Sequence, residues 1–258
     1  MIFRRDRKRK DRAEEPEEPP ENASAEATDE GAAGPGEEDD LVALDALDWR
    51  GDGPWDIGEV DDLEGTDEGQ RIDLGSLIVT GVAGAELRLQ VAEDTNEIVS
   101  AMLVIETKVP DPAGRSGATQ TVSSALELGA YAAPRSGGLW SELREEISEA
   151  ATAQGGSASL REGPFGVELH RFIPVTTPEG EQGYQPSRMW VAEGPRWLLR
   201  GIVYGQAAVE DDLESPVVAD VLAAFRQVIV RRGEEAMAPG DLLPLSMPST
   251  VTAAGDST

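Results

Sequence analysis

Apolar and polar side chains alternate along much of residues 71–205, and this pattern constrains the fold more than any other feature. In 85–94, for example, Leu87, Leu89 and Val91 alternate with polar neighbours, as expected where one face of a strand is buried. Turn-forming clusters separate several of these segments, which favours antiparallel pairing, so we predict a mainly antiparallel sheet of six to eight strands. The strand-like segments are 71–82, 85–94, 96–109, 118–134, 165–175, 186–194, 196–205 and 227–233.

Two segments have helical spacing instead. Apolar residues recur every three or four positions from Leu139 to Ala151, with acidic residues on the other faces. Ser215 and Pro216 are typical of a helix N-cap and first turn, and they precede an apolar face that ends at Phe225. The sequence therefore predicts an α+β fold in which a mainly antiparallel sheet packs with two principal helices. Both phases of 196–205 are largely apolar, which predicts a central strand there.

Charge separates the ends of the chain from its middle. Residues 1–12 hold seven Lys or Arg and two Asp, whereas residues 13–70 hold 22 Asp or Glu and one Arg, out of a net charge of −28. A segment this polar cannot bury enough apolar surface to offset its ordering entropy. The predicted organisation is a disordered charged tail at 1–48, a single α+β domain at 49–247 whose residues 49–70 form an N-terminal arm packed on it, and a loose C-terminal tail at 248–258.

The composition excludes several kinds of site. The chain has no cysteine and one histidine, which excludes disulfides, thiolate nucleophiles and Cys-ligated metal centres and leaves no histidine-rich zinc site. Neither a P-loop nor a Gly-x-Ser-x-Gly nucleophile elbow is present. We expect no cofactor, no metal and no catalytic residue, although an enzyme is not ruled out. Without a long apolar run or a signal peptide, the expected protein has no membrane span and is cytoplasmic.

Several motifs together resemble a known family. They are GPWDIGEV, RIDLGSLIV, AAPRSGGLWSELREEI, GPFGVEL, GPRWLLRGIVYGQAAV and DLLPL, in this order over about 49–247. This chain resembles the actinobacterial family DUF3710, whose function is not established, so the resemblance implies a cytoplasmic actinobacterial protein and assigns no residue a role. The order of the last strands and helix is also similar to that of Mog1/PsbP-type α+β domains, in which helices flank an antiparallel sheet.

The turn Arg135-Ser136-Gly137-Gly138 is a candidate anion site, because it directly precedes the first predicted helix. The N-terminus of a helix attracts anions, and glycines allow a ligand to approach the backbone. The alternative is a simple helix entrance in which Ser136 is the N-cap and Arg135 pairs with an acidic neighbour.

Arg196 and Arg200 could belong to the same anion site. Arg200 lies in an otherwise apolar strand, so it needs a carboxylate or backbone partner, and a structural ion pair is the alternative interpretation. His170 could act as a lone general base, but alternation favours a solvent-facing strand position.

Two functions remain open from the sequence. The first is a non-enzymatic binding or adaptor module that acts through protein partners. The alternative is a protein or enzyme for an anionic small ligand, such as a nucleotide, with a site lined by Arg135, Arg196 and Arg200. Nucleic acid is not the expected partner, because the basic N-terminus is followed at once by the acidic tract. The oligomeric state stays open.

Overall fold

The computed structural model describes residues 43–47, 49–63, 69–82, 84–111, 117–177 and 180–248. These residues contain eleven strands, three α-helices and two 3₁₀ turns. The strands are β1 (Trp55–Asp56), β2 (Arg71–Asp73), β3 (Leu77–Thr80), β4 (Ala85–Val91), β5 (Ile98–Pro110), β6 (Thr119–Ala132), β7 (Ser157–Gly163), β8 (Gly166–Thr176), β9 (Gln182–Gly194), β10 (Trp197–Gly205) and β11 (Ile229–Val230). The helices are α1 (Leu139–Ala153), α2 (Gln206–Val209) and α3 (Pro216–Arg226), and the 3₁₀ turns are Leu44–Ala46 and Ile57–Glu59.

Seven of these strands form one antiparallel sheet in the order β4-β5-β6-β10-β9-β8-β7. The predicted α+β class, with a mainly antiparallel sheet and two principal helices, is confirmed. β10 is the middle strand, as its two apolar phases indicate. The β9–β10 hairpin turns at Pro195 and Arg196, because Gly194 pairs with Trp197.

A second, four-stranded sheet has the order β1-β11-β3-β2. It is mixed, since β1 is parallel to β11 whereas the other pairs are antiparallel. The sequence predicted one strand over 71–82, but a turn at Leu74–Ser76 divides it into β2 and β3. Gly75 has a φ of 86° there, and its N–H donates to Asp73 Oδ1 at 2.9 Å, a local bond that ends the first strand.

The large sheet buries a different core on each face. We call the faces the α3 face and the α1 face, after the helix packed on each. The α3 face carries the larger core, which includes Phe225 of α3 and Trp190, Leu199 and Leu128 of the sheet. The α1 face carries a smaller core around Leu139 and Trp140, together with Leu169, Met189, Leu198 and Ile202. Alternation along each strand therefore decides which core a residue joins.

Both flanking segments contact this domain. Trp197 Nε1 donates to Asp56 Oδ2 at 2.7 Å, and Arg144 forms a two-pronged ion pair with Asp45 at 2.7 Å. At the other end, Leu243 is fully buried, and its N–H donates to the Ala130 carbonyl at 2.8 Å. Residues 43–47, assigned from the sequence to the disordered tail, thus include a 3₁₀ turn; the rest of the predicted tails, 1–42, 48 and 249–258, lies outside the described residues.

Candidate functional site

The N-terminus of α1 is capped by a side chain from another element. Gly138 occupies the N-cap position with a φ of 85°, a left-handed conformation that favours glycine, and it has no side chain with which to cap. Instead, Glu193 of β9 accepts hydrogen bonds from the backbone N–H groups of Gly138 at 2.9 Å and Trp140 at 2.8 Å. The prediction that Ser136 is the N-cap is wrong, because the helix starts two residues later than that role requires.

The position of Glu193 changes the interpretation of the turn Arg135-Ser136-Gly137-Gly138 as an anion site. The turn does hold an anionic group at a helix N-terminus, where backbone N–H groups and the helix dipole favour negative charge. That group is the protein's own carboxylate, Glu193. An external phosphate at this position would have to displace it, so the α1 entrance does not provide free donors for a ligand.

The residues selected from the sequence do not all meet. Arg135, Ser136, Gly137 and Arg196 line one open depression of about 670 Å³, which Glu193 also lines. Arg135 and Arg196 are exposed, and neither pairs with a carboxylate in the described part of the chain. Gly138 lines a neighbouring cavity instead. Arg200 lines neither of these hollows.

The neighbouring cavity has a volume of about 420 Å³ and aromatic walls. We call it the aromatic pocket. Its walls include Trp49, Trp140 and Phe165, with Leu47 and Ser141 at its edge. It lies between the N-terminal arm, the start of α1 and the β9–β10 turn, so the tertiary fold creates it from three separate parts of the sequence.

The charged groups of the aromatic pocket are already paired within the protein. Asp45 pairs with Arg144, Glu193 caps α1, and Arg50 pairs with Glu59 through contacts of 2.9 and 3.1 Å. The Arg50 hydrogen bond holds the pKa of Glu59 below its ordinary value. Of its aromatic walls, Trp140 and Phe165 are 5 % and 7 % exposed, whereas Trp49 is half-buried.

Arg200 belongs to a different cluster, on the α1 face. Its guanidinium carbon lies 4.9 Å from the centre of the Tyr131 ring, a cation–π distance. Gly129 is the cross-strand partner of Arg200, and a Cβ at Gly129 would lie 3.2 Å or less from the Tyr131 ring and hydroxyl. The missing side chain at Gly129 therefore leaves room for the Tyr131 ring.

Arg171, Tyr204 and Glu127 complete this cluster, which we call the arginine–tyrosine cluster together with Arg200 and Tyr131. The Tyr204 hydroxyl donates to Glu127 Oε2 at 3.2 Å. Burial and the negative charge of Glu127 raise the pKa of Tyr204 to about 12, and burial also raises the pKa of Tyr131. Both hydroxyls therefore stay protonated at neutral pH and can donate hydrogen bonds.

Sequence reasoning selected Arg200 but missed its neighbours. One signal was available: Arg171 has the same alternation phase as Leu169 and Ile173, so it faces the same side of the strand as apolar residues. The pairing of β6 with β10, which brings Tyr131 to Arg200, could not be read from the sequence.

His170 is buried, so its predicted solvent-facing position is wrong. It is 7 % exposed, and its Nε2 lies 2.5 Å from Glu168 Oε1. Glu168 also accepts from Arg188 Nη2 at 2.6 Å and from Trp190 Nε1 at 2.7 Å. Glu168 and His170 alternate with Leu169 of the α1 core, so they lie on the opposite face of β8, where Trp190 of the α3 core contacts Glu168.

Two further kinds of feature are missing from the described segments. No group of three or more His, Asp or Glu side chains in them is placed to hold a metal ion. None of their helices has the length and apolar character needed to cross a bilayer.

One family model matches most of the chain. No curated protein and no solved structure matches the sequence significantly. The model of a family described as a protein of unknown function, DUF3710, matches residues 53–254. This span contains all the described strands of both sheets, the three α-helices and the arginine–tyrosine cluster, and it agrees with the motifs found between 49 and 247. The chain belongs to the DUF3710 family.

Proposed function

We propose that this protein is a non-enzymatic binding or adaptor module that acts through protein partners, and that the aromatic pocket is its contact site. The observation that carries the proposal is the composition of this pocket: three aromatic side chains line it, while its charged groups are already paired within the chain. Aromatic side chains in a preformed hollow are common anchors of protein interfaces.

The edge of the aromatic pocket supports a protein partner as its occupant. Leu47 lines the pocket and is 56 % exposed, so it presents apolar surface to water beside the opening. Because the pocket holds about 420 Å³, it is large enough for one or two side chains of an inserted peptide. A short segment with an aromatic or aliphatic anchor is therefore the proposed ligand.

Site-specific photo-crosslinking in living cells tests this proposal. A photoreactive phenylalanine analogue replaces Leu47 in one variant and Val209 in a control variant; both positions are exposed aliphatic residues, at 56 % and 52 %. We expect a discrete protein adduct from position 47 and none from position 209. Adding Ser141→Leu, which puts a larger side chain into the aromatic pocket, should remove the adduct. The same adducts from both positions, or none from position 47, would contradict the proposal.

An anionic small ligand is the second candidate function, as a binding protein or an enzyme. Arg135 and Arg196 support it weakly, since Glu193 lines the same depression. Arg200 supports it better through its neighbours in the arginine–tyrosine cluster, although that site differs from the one expected from the sequence. A thermal-shift screen with nucleotides tests this candidate, and no stabilisation by any nucleotide would count against it.

Five finer expectations remain proposals. A relationship to Mog1/PsbP-type domains is supported by an antiparallel sheet with a helix on each face. A cytoplasmic location and an actinobacterial origin rest on the family resemblance. A partner other than nucleic acid is supported by the net charge of −28. Disorder of residues 1–42 of the charged tail is supported by their composition.

A further inference from the structure

We propose that the arginine–tyrosine cluster binds the phosphate group of a small phosphorylated ligand. The site consists of Arg171 in β8, Arg200 in β10 and Tyr131 in β6, with the Tyr204 hydroxyl beside them. It lies on the α1 face, apart from the aromatic pocket, and it goes beyond the proposed adaptor function. Three features of the cluster support this site: unused donors, unbalanced charge and the number of donors.

The first step is that donors at this site lack partners. The Nε atoms of Arg171 and Arg200 are shielded from solvent and make no hydrogen bond. Ser100 in β5 is 3 % exposed, and its Oγ is likewise buried without a partner. Met102 pairs with Glu127 of the cluster, so by alternation Ser100 faces the same side of the sheet. Buried polar groups normally have partners, and three unpartnered groups on one face therefore point to a bound acceptor.

The second step is the charge balance. Four other arginines, Arg50, Arg144, Arg188 and Arg231, each have a carboxylate oxygen at 2.9 Å or less. Within the described residues neither Arg171 nor Arg200 forms an ion pair, and Glu127 is the carboxylate whose charge acts on the cluster.

Two positive charges thus face one negative charge, which already accepts from Tyr204. Burial and the charge of Arg200 lower the pKa of Arg171, so the folded protein holds this pair of cations at a cost that a bound anion would offset.

The third step is the number of donors that the site offers. Arg200 pairs across strands with Gly129, whose missing side chain admits the Tyr131 ring beside the Arg200 guanidinium. Two arginine forks and the Tyr131 hydroxyl offer more donors than the two oxygens of a carboxylate can use, whereas a tetrahedral phosphate presents three oxygens. Phosphate is therefore the chemistry that the site fits best.

Arginine-selective NMR on the full chain gives the direct test. Inorganic phosphate is titrated at constant ionic strength while the Nε–Hε signals are followed, with acetate as the comparison anion. We expect saturable shifts of the Arg171 and Arg200 signals with phosphate, and much weaker shifts with acetate. No shift of these two signals up to about 10 mM phosphate, a concentration that still detects weak binding, would overturn the proposal. Equal binding of acetate would overturn the assignment to phosphate.

Matched variants separate this site from general charge effects. Arg200→Gln should raise the phosphate Kd about tenfold or more, because a charge-assisted two-pronged contact is lost. Arg88→Gln removes the same charge from an exposed position on β4, outside every proposed site, and should leave the Kd unchanged. Tyr131→Phe keeps the ring beside Arg200 but removes one hydroxyl, so it tests the phosphate site if Arg200→Gln does not fold. An unchanged phosphate Kd in both Arg200→Gln and Tyr131→Phe would refute the site. Leu47 does not belong to the arginine–tyrosine cluster. An absence of phosphate binding would therefore leave the photo-crosslinking test of the adaptor function unaffected.

Discussion

Glu168 shows how much of this protein depends on single buried charges. The residue is 2 % exposed, and its carboxylate is in contact with Arg188, Trp190 and His170. Burial acts to raise the pKa of Glu168, but the His170 hydrogen bond and the Arg188 charge outweigh it, so the pKa lies below its ordinary value of 4.5. Such a group stabilises the folded state only while it is ionised.

The pH dependence of stability therefore follows from the sign of this shift. The contribution of Glu168 is fully present above about pH 4.5 and is lost as the pH falls through the lowered pKa of the folded state. Glu168→Gln should reduce the free energy of unfolding by about 3–5 kcal/mol at pH 7, because it leaves Arg188 buried without a counter-charge. Urea denaturation between pH 7 and pH 3 should show the difference from wild type shrinking at the acidic end.

Glu162→Gln is the control for this prediction, since Glu162 is exposed on the neighbouring strand β7. It should change the free energy of unfolding by about 0.5 kcal/mol or less. Curves for Glu168→Gln and wild type that stay parallel down to pH 3 would show that Glu168 does not carry the acid sensitivity.

At the scale of single residues, the sequence showed that a side chain needs a partner better than it showed what surrounds that side chain. It indicated that Arg200 is half-buried and needs a partner, but not that the partner is the ring of Tyr131. The sequence predicted a solvent-facing position for His170, because alternation does not reveal which face of an inner strand is covered. Glu193 caps α1 from a position 55 residues after Gly138 and 53 residues after Trp140. No local sequence pattern shows a contact over that separation.

Helices and strands follow the local sequence closely where the pattern is long. α3 begins at its predicted start, and Ser215 Oγ accepts from the Val218 N–H at 3.4 Å, as expected for an N-cap. α1 begins at Leu139, the first residue of its apolar pattern, but two residues after the start that an N-cap at Ser136 would give. β7 was missed, because Ser157–Gly163 is short and mostly polar. An edge strand has one partner and few apolar residues, so its sequence signal is weak.

The packing of α3 on β10 allows no extra atom at Gly201. A Cβ there would lie 2.6 Å from Phe225 Cε2 and 3.0 Å from Leu126 Cδ1. Gly201→Ala should therefore reduce the free energy of unfolding by about 1–3 kcal/mol, because the core is already full. In a Phe225→Leu background the same change should cost less, since the smaller side chain makes room. Urea denaturation of the two single variants and the double variant measures this coupling.

Gly183→Ala is the matched control for that experiment. Gly183 also lies in a strand of the large sheet, but a Cβ there meets no atom within 4 Å. The substitution should be neutral or slightly stabilising, because alanine has less conformational freedom to lose on folding. Equal effects at Gly201 and Gly183, or no coupling to Phe225, would mean that the contact between β10 and α3 is looser than the structure shows.

At the scale of the whole molecule, the folded unit depends on segments that precede and follow the strands of the large sheet in the sequence. Asp45 supplies the counter-charge of Arg144, whose side chain is 4 % exposed, and Leu243 is fully buried. The α+β class and the large sheet were predictable from periodicity, because many residues contribute to each. The small sheet was not, because β1, β2 and β11 have only two or three residues each.

Two deletions that differ by six residues test the importance of the N-terminal contact. Removing 1–48 takes away Asp45 and leaves Arg144 buried without its carboxylate, whereas removing 1–42 keeps the pair. We expect the shorter chain to be less stable by about 2–4 kcal/mol, which corresponds to a Tm lower by roughly 5–10 °C. Differential scanning calorimetry measures both. Asp45→Asn in the full chain should reproduce most of the loss; equal Tm values for the two deletions would contradict the prediction.

The position of β11 has a consequence for synthesis on the ribosome. β11 lies between β1 and β3, yet it follows every other strand in the chain. While residues 229–230 are still inside the exit tunnel, β1 has no partner strand, and Leu77 and Val79 of β3 lack part of their cover. A nascent chain therefore exposes apolar surface and open strand edges until residues 229–230 have left the tunnel, the situation in which chaperones bind and incomplete products aggregate. An mRNA that ends just after the codons for α3 should yield a polypeptide that is degraded. It should not yield a protein with partial function.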